Sequence, residues 1–318
     1  MKSLKLGIVG AGRMAREHSR AFADVPGVEL AGIASRTVER AEEVAREFSI
    51  AKVYESSAGL IAGVRPDILV VAVPEPATVP VMRELIGKSA AILVEKPVGI
   101  DLADCRTVAG LAQAAGAPVF VGLNRRSYGS TRAALEALAG DAGSRFIEVH
   151  DQEDVVAARK AGRPEEVVRN WMFANSIHII DYFHIFGRGA IVNVNVVDAW
   201  TGAVPTQVIA HVTFSSGDTG LYCAVWNKPG PWSCAVTTAA HRVEMRPMEQ
   251  CRVQTSGSRQ FEEIAQDAWD RDFKAGFRRQ AQETIDFVRR GDRPAHVPDI
   301  AEALATTELV ARLYGLPV

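Results

Sequence analysis

The glycine-rich turn near the N-terminus constrains the fold more than any other feature. An apolar run, a turn and a helical pattern follow one another as Lys5-Leu6-Gly7-Ile8-Val9, Gly10-Ala11-Gly12-Arg13-Met14-Ala15 and residues 15–23. This G-x-G-x-x-A spacing is typical of dinucleotide-binding units: Gly10 permits the tight turn, Gly12 admits the pyrophosphate, and Ala15 allows close packing. The helix amino terminus, with Arg13 and Met14, is expected to hold the phosphates.

An alternation of strand and helix patterns continues from this turn to about residue 123. Apolar strands are expected at 28–34, near 53, and at 68–73, 90–94 and 119–123, with helices at 38–48, 56–63, 77–87 and 102–115. Short apolar runs between helices are typical of parallel strands that are buried on both faces. The pattern predicts a doubly wound Rossmann domain over residues 1–123.

The pattern changes after residue 124. A helix at 130–139, a strand at 145–151, a polar loop through 169 and a helix at 175–186 precede strands at 191–197, 208–214, 220–226, 233–238 and 242–245. Period-two alternation between turn residues is typical of an antiparallel sheet. Residues 124–318 are therefore expected to form an α+β domain with a largely antiparallel open sheet, closed by helices at about 268–290 and 298–314.

The end of the second predicted strand bears on the choice of nicotinamide cofactor. NAD-preferring enzymes usually place an acid there, but this chain has Ser35 and Arg36, with Arg40 one helical turn later. A hydroxyl and two guanidinium groups suit a 2′-phosphate, which favours NADP, with NAD as the alternative. A competing interpretation pairs both arginines with Glu39, Glu43 or neighbouring acids on a solvated helix face.

A second feature is the strand Ala90-Ala91-Ile92-Leu93-Val94, which ends in Glu95-Lys96-Pro97. Ligands bind at the carboxyl ends of strands in open α/β sheets, and Pro97 restricts the Lys96 backbone to extended conformations. Lys96 is therefore a candidate proton donor. The alternative is a plain strand terminus with a surface Glu–Lys pair.

The third feature is the stretch from Asn170 to Phe183, which contains His178 and Asp181. Three residues apart on a helix, these side chains share one face and combine a group that titrates near neutral pH with a carboxylate. A polar pair in an otherwise apolar helix is costly to bury without a partner. The alternatives are a catalytic histidine and a satisfied core histidine.

Composition excludes several classes of function. The chain of 318 residues has 47% hydrophobic and 23% charged residues, with a formal net charge of −2 and no charge run. Nucleic-acid and membrane binding are not expected. No signal peptide or spanning segment is visible, so a cytoplasmic location is expected. The four cysteines show no zinc-ligand spacing and are expected to be reduced; no metal is predicted.

Taken together, these motifs resemble the Gfo/Idh/MocA oxidoreductases. The resemblance is carried by Gly10-x-Gly12-x-x-Ala15, Glu95-Lys96-Pro97, Gly122-Leu123-Asn124-Arg125-Arg126 and His178-x-x-Asp181, in this order along the chain. It implies a Rossmann domain, a largely antiparallel second domain, and oxidation of a sugar or cyclitol hydroxyl, or reduction of its ketone, with nicotinamide. It also implies a homodimer or homotetramer formed through the open sheet.

The resemblance assigns roles to individual residues. Lys96 would hydrogen-bond the reacting oxygen, His178 would exchange the proton, and Asp181 would orient the substrate or the histidine. Glu95 and Pro74 would lie along the nicotinamide side of the cofactor, and Pro97 is expected to be cis. Lys96 and His178 are expected to converge on one face of the nicotinamide ring.

Two positions depart from the family pattern. The acid that many members have four residues before the histidine is Ala174 here, and a histidine after the fourth strand is replaced by Thr78. Three explanations stay open: Asp181 substitutes, Lys96 carries the proton step, or turnover has been lost. The last would make the chain a nicotinamide- and sugar-binding sensor. Besides a dehydrogenase and a sensor, the third hypothesis for the function is an NAD-dependent glycoside-cleaving enzyme.

Four residues are candidates to line the substrate pocket: Arg126, Tyr128, Trp171 and Asn175. An aromatic face combined with hydrogen-bond donors suits a polyhydroxylated ring. The expected substrate is therefore a sugar, cyclitol or related polyol.

Overall fold

A computed structural model describes residues 3–201 and 207–318. The chain divides into two compact units. The first contains the residues up to Ser127 together with Trp269–Leu304, and the second contains Tyr128–Ala268 and Ala305–Val318. The predicted second domain, 124–318, placed all the C-terminal helices together, whereas the structure groups residues 269–304 with the first unit.

The first unit is built on a parallel sheet. Its strands are Leu4–Val9 (β1), Val28–Ala34 (β2), Val53–Tyr54 (β3), Ile68–Val71 (β4), Ala91–Val94 (β5) and Val119–Val121 (β6). Within the described residues their order is β3-β2-β1-β4-β5-β6. Strand order reverses beside β1, as in a doubly wound sheet, so the predicted Rossmann fold is confirmed.

Helices connect these strands. They are Arg13–Ala23 (α1), Val38–Phe48 (α2), Ser57–Val64 (α3), Thr78–Leu85 (α4) and Leu102–Ala115 (α5). Short 3₁₀ turns at Glu75–Ala77 and Asn124–Ser127 follow β4 and β6. Every residue of β4 and β5 is buried, because the helices cover both faces of a parallel sheet.

The second unit contains an eight-stranded sheet within the described residues. Its strands are Phe146–Glu153 (β7), Ile191–Asp198 (β8), Gln207–Phe214 (β9), Thr219–Trp226 (β10), Ser233–Thr237 (β11), His241–Met245 (β12), Cys251–Thr255 (β13) and Glu262–Ile264 (β14). The order is β14-β13-β12-β11-β7-β10-β9-β8. Only β7 and β10 pair in parallel among these strands, so the largely antiparallel sheet is confirmed.

Burial alternates along the central strands of this sheet. In β10, every second residue is buried and the residues between are half-buried. One face therefore belongs to a core and the other stays partly accessible. The helices of the second half of the chain are Gly129–Ala137 (α6), Val155–Lys160 (α7), Glu165–Arg169 (α8), Ile177–Ile180 (α9), Tyr182–Phe186 (α10), Ala268–Asp272 (α11), Phe277–Arg290 (α12) and Ile300–Leu313 (α13).

Three local predictions were wrong. The expected loop through residue 169 contains α7, which Asp154 caps with a 2.8 Å hydrogen bond to Ala157 N, and α8, which follows Pro164. The expected helix 268–290 is two helices, because Gly276 before α12 adopts a φ of +80° and interrupts it. Strands β13 and β14 were missed. Of the helices in residues 3–201 and 207–318, none is long and apolar enough to cross a membrane.

Candidate active site

The turn between β1 and α1 requires glycine at its first position. Gly10 has a φ of +110°, and a Cβ placed there would lie 2.1 Å from the carbonyl oxygen of Ala72. Its N–H donates to Ala34 O at 2.8 Å, which fixes the turn against β2. The role that the sequence analysis gave to Gly10 therefore has a direct steric cause.

The next glycine leaves the start of α1 open. Gly12 is the N-cap of α1, and among the residues that the structure describes no side chain caps the helix. A Cβ at Gly12 would meet nothing within 4 Å. Arg13, the first helical residue, is exposed, and Met14 is half-buried. A helix start with unoccupied N–H groups beside a tight glycine turn fits the pyrophosphate of a dinucleotide.

The two arginines after β2 are exposed to solvent. Arg36 and Arg40 are both exposed, and neither side chain forms a hydrogen bond or ion pair with any residue in the described part of the chain. Glu43, which could have held them, instead accepts a 3.1 Å bond from Arg16. The Ser35 hydroxyl accepts from Thr37 N at 3.1 Å. The solvated-face pairing expected as the alternative is therefore not formed with Glu43.

The motif after β5 has the expected backbone. The Lys96–Pro97 peptide is cis, which confirms that expectation. Glu95 N donates to Val71 O at 2.8 Å, so the residue stays in register with β4 while its side chain leaves the sheet. Lys96 is half-buried, and Pro74, after the neighbouring strand, is exposed.

A histidine that the sequence analysis did not name lies in this region. His18 Nε2 is 2.8 Å from Glu95 Oε1, and the imidazole is fully buried. Its ring packs against Phe277 with centroids 4.6 Å apart. In the sequence, His18 is visible only as a histidine on the apolar face of α1, six residues after Gly12. Its partner, Glu95, lies 77 positions away.

Arg126 and Tyr128, predicted to bind substrate, have different environments. Arg126 Nη1 lies 3.7 Å from Glu302 Oε1 in the first unit, and its side chain is 14% exposed. Tyr128, at the start of the second unit, is only 4% exposed. Thr78, at the other position noted as a departure, is also buried.

In the second unit, a π-helix over Met172–Ser176 runs directly into α9 and carries His178. Such π-helical turns are often found at functional sites. His178 is 8% exposed, and Asp181 is 1% exposed. Asp181 Oδ1 accepts a 2.8 Å hydrogen bond from Thr306 Oγ1 on α13. His178 and Lys96 belong to different units, and their convergence stays a prediction.

Side chains in the segment before His178 donate hydrogen bonds to one carboxyl group, that of Glu153. Glu153, the last residue of β7, is 1% exposed. Its carboxyl oxygens accept from Trp171 Nε1 at 2.5 Å, from Asn175 Nδ2 at 2.9 and 3.1 Å, and from Ser176 Oγ at 3.2 Å. The predicted substrate residues Trp171 and Asn175 are thus held together by an acid that the sequence analysis did not single out.

A second buried acid lies on the same face of β7. Asp151 accepts from Tyr222 OH at 2.7 Å and from Trp232 Nε1 at 2.8 Å. Tyr222 OH is in turn 2.9 Å from Tyr314 OH. Burial raises the pKa of Glu153 well above its usual 4.5, and the negative charge of Asp151 raises it further.

The comparisons with known proteins agree with this geometry. Residues 4–123 match the model of the GFO_IDH_MocA family, described as an oxidoreductase family with an NAD-binding Rossmann fold. The N-terminal domain belongs to the Gfo/Idh/MocA family. The resemblance drawn from the motifs is therefore confirmed.

Relatives of this Gfo/Idh/MocA domain carry dehydrogenase names. The chain is 28% identical over 138 residues, 43% of its length and 41% of the relative's, to a trans-1,2-dihydrobenzene-1,2-diol dehydrogenase of Mus musculus. It is 33% identical over 142 residues, 44% of its length and 40% of the relative's, to an inositol 2-dehydrogenase of Rubrobacter xylanophilus. Each match spans about two fifths of the curated relative.

Solved structures extend the likeness in fold to the full chain. A UDP-N-acetylglucosamine 3-dehydrogenase of Acidithiobacillus ferrooxidans superposes with a TM-score of 0.77, covering 99% of this chain and 98% of the other at 18% identity. At this identity the similarity concerns the fold.

Proposed function

We propose that this chain is an oxidoreductase that exchanges a hydride between a nicotinamide cofactor and a secondary alcohol or ketone of a sugar, cyclitol or related polyol. The observation that carries the proposal is the turn after β1. A side chain at Gly10 would collide with the backbone of Ala72, whereas the space around Gly12, at the start of α1, is open. The dehydrogenase names of the relatives support the substrate class.

NADP is the proposed cofactor. Arg36 and Arg40 are exposed cations without partners in residues 3–201 and 207–318, and they follow β2, where the adenosine ribose binds in Rossmann folds. A 2′-phosphate would gain two charge-assisted contacts there. NAD stays the alternative, because exposed arginines do not prevent a ribose 2′-hydroxyl from binding. Neither Ser35 nor Arg36, however, is the acid that would select this hydroxyl.

The bound nicotinamide would supply the hydride acceptor or donor. Side chains of this protein would hydrogen-bond the reacting oxygen and accept or donate its proton. Lys96 would hydrogen-bond the reacting oxygen and stabilise negative charge on it in the transition state. His178 would take the hydroxyl proton during oxidation and return it during reduction. Asp181, bonded to Thr306, would hold the α9–α10 junction that carries the histidine.

A non-catalytic sensor is the second candidate, and Ala174 is the observation that favours it. The carboxyl that resembling enzymes place four residues before the histidine is missing, and Ala174 is buried. A sensor would bind cofactor and sugar without turnover. An NAD-dependent glycosidase would cleave glycosides without net reduction of the cofactor.

A substrate screen tests the proposal. Purified protein would be incubated with NADP or NAD and a panel of sugars and cyclitols, and with NADPH or NADH and the matching ketones, while the near-ultraviolet absorbance of reduced nicotinamide is followed. The proposal expects a substrate-dependent change with NADP or NADPH. Cofactor binding without any change would support the sensor, and cleavage of chromogenic glycosides would support the third class.

We also propose a cytoplasmic homodimer or homotetramer formed through the accessible face of the second-unit sheet, without nucleic-acid or membrane partners. Leu221, Cys223 and Val225 lie half-buried on that face of β10. Light scattering at several protein concentrations would test the assembly, and a monomer would contradict it.

A further inference from the structure

The two sheets have four edges in the described part of the chain, and three of these edges are short. In the first-unit sheet the edge strands are β3, with two residues, and β6, with three. In the second-unit sheet one edge is β14, whose three residues Glu262–Ile264 include two exposed acids. Short strands and charged side chains are the usual means by which a protein keeps a sheet edge from pairing with another chain.

The fourth edge is β8, and it lacks this protection. It has eight residues, and among the described strands it pairs only with β9. Its one charged residue is Asp198, at its end. Val192 and Val197 are 58% and 67% exposed, the highest values for large hydrophobic side chains among the described residues. The outward N–H and C=O groups of such an edge can pair with a further strand.

Two bulges divide β8, at Val192 and at Val197. Bulges can blunt a sheet edge, but these two flank the segment Asn193–Val196, which pairs with β9 in regular register. The two valines of this segment lie opposite buried residues of β9, so they face the core, and its two asparagines are exposed on the other face. A regular stretch of strand with one apolar and one amide face is therefore presented at this edge.

The sequence of β8 is nearly the same in both directions. The seven residues Ile191-Val192-Asn193-Val194-Asn195-Val196-Val197 are almost symmetric about Val194. A second copy placed antiparallel, with a two-fold axis at Val194, would set Asn193 opposite Asn195 of the partner subunit and apolar residues opposite apolar ones. Such cross-strand pairs are stabilising, and no like charges would meet. A two-fold contact requires a self-complementary surface of this kind.

We infer that β8 is a contact surface for a second copy of this chain, in which the two β8 strands pair antiparallel about Val194 and join two eight-stranded sheets edge to edge. This contact is different from the sheet-face contact proposed above. A tetramer with two kinds of two-fold interface would use both. The inference does not depend on the proposed enzymatic function, because it concerns only the assembly of the chain.

A symmetric disulfide tests the register of this strand pair. A residue opposite its own copy in an antiparallel pair has Cα atoms about 4.5–5.5 Å apart, within the range that disulfides span. Val194→Cys would be made in a Cys223→Ser background, because Cys223 is half-buried whereas the other three cysteines are buried. Mild oxidation of the dilute protein should convert most chains to a disulfide-linked dimer, measured on a non-reducing gel.

Val192→Cys in the same background is the matched control. Residue 192 would lie opposite Val196 of the partner subunit, so the two copies of residue 192 would be roughly 13 Å apart along the strands. This variant should not cross-link alone, but it should cross-link when co-expressed with Val196→Cys. Random collision would give the opposite order, because residue 192 is more exposed than residue 194. Cross-linking of Val192→Cys equal to that of Val194→Cys would overturn the inference.

The exposed asparagines allow a second test that leaves the core unchanged. Asn193→Asp combined with Asn195→Asp would place carboxylates opposite one another across the two-fold axis, and the particle mass from light scattering should halve. Asn193→Lys combined with Asn195→Asp would pair opposite charges and should restore the wild-type mass. A monomeric wild type, an unchanged mass in the acidic variant or no recovery in the charge-paired variant would overturn the inference. Melting temperatures near that of the wild type would show that both variants fold.

Discussion

His18 Nε2 lies 2.8 Å from Glu95 Oε1, and this hydrogen bond joins the helix after the glycine-rich turn to the residue before Lys96. The imidazole is fully buried and the carboxyl side chain is 10% exposed. The position of the Glu95-Lys96 backbone is thereby coupled to α1, whose amino terminus is the proposed phosphate site.

Replacing His18 is expected to weaken cofactor binding. His18→Ala removes the bond, which should raise the Kd for NADP about 2- to 10-fold, the value of one typical intramolecular hydrogen bond. His18→Gln can still donate to Glu95 and should recover part of the affinity. Fluorescence titration with NADPH measures both. His296→Ala, which breaks a 2.7 Å bond to Glu283, is the control and should leave the Kd unchanged.

Gly12→Ala is expected to fold normally and to bind cofactor poorly. The added Cβ meets no protein atom within 4 Å, so the melting temperature should stay near that of the wild type. The methyl group would occupy the space through which the backbone approaches the pyrophosphate, and the Kd for NADP should rise at least about tenfold. Gly110→Ala, on the exposed face of α5, is the matched control. Unchanged affinity in Gly12→Ala would place the dinucleotide elsewhere.

Arg36→Ala is expected to change the preference between the two nicotinamide cofactors. A lost charge-assisted bond to the 2′-phosphate is worth about 1.5–3 kcal/mol, so KM for NADP should rise about 10- to 100-fold. KM for NAD should stay within about twofold, since NAD has no phosphate there. Arg46→Ala, on the exposed side of α2, is the control. Equal effects on both cofactors would contradict the proposed 2′-phosphate contact.

The buried acid pair predicts how stability depends on pH. Below its usual pKa of 4.5, Glu153 is protonated in both the folded and unfolded states. As pH rises above that value, the unfolded chain releases this proton while the folded protein retains it, so the free energy of unfolding decreases until pH passes the raised pKa. The slope is up to about 1.4 kcal/mol per pH unit for one group.

Melting temperatures of the wild type and of Glu153→Gln between pH 5 and 8 would measure this contribution. The difference between wild type and variant is expected to shift against the wild type as pH rises, because glutamine does not titrate. A difference that stays constant, or shifts in favour of the wild type, would show that Glu153 is ionised in the folded protein.

Much of the first unit could be predicted because its signals are local. A few adjacent residues are enough to recognise the glycine turn, the apolar run of β5 and the helix α5. Helix α5 begins and ends where it was expected, at Leu102 and Ala115. Strand β13 was missed because it is only five residues long, so the alternation of Cys251 and Val253 with Arg252 and Gln254 gives a weak signal.

The parts of the site that escaped prediction depend on partners distant in sequence. Glu153 ends a strand and looks like an ordinary surface acid, yet its partners Trp171 and Asn175 come 18 and 22 residues later. His18 similarly looks like a core histidine until Glu95 is placed beside it. Such pairs become visible only when the strands and helices are assembled.

The most direct measurement is the rate of hydride exchange in Lys96→Met compared with the wild type, on the best substrate of the screen. Reduced nicotinamide would be followed by its near-ultraviolet absorbance in a single turnover, with cofactor binding measured separately. A loss of roughly 10²–10⁴ in rate with nearly unchanged cofactor affinity is predicted, the usual contribution of positioned acid–base and electrostatic assistance. Wild-type turnover in Lys96→Met would contradict the proposed role of Lys96 in the reaction.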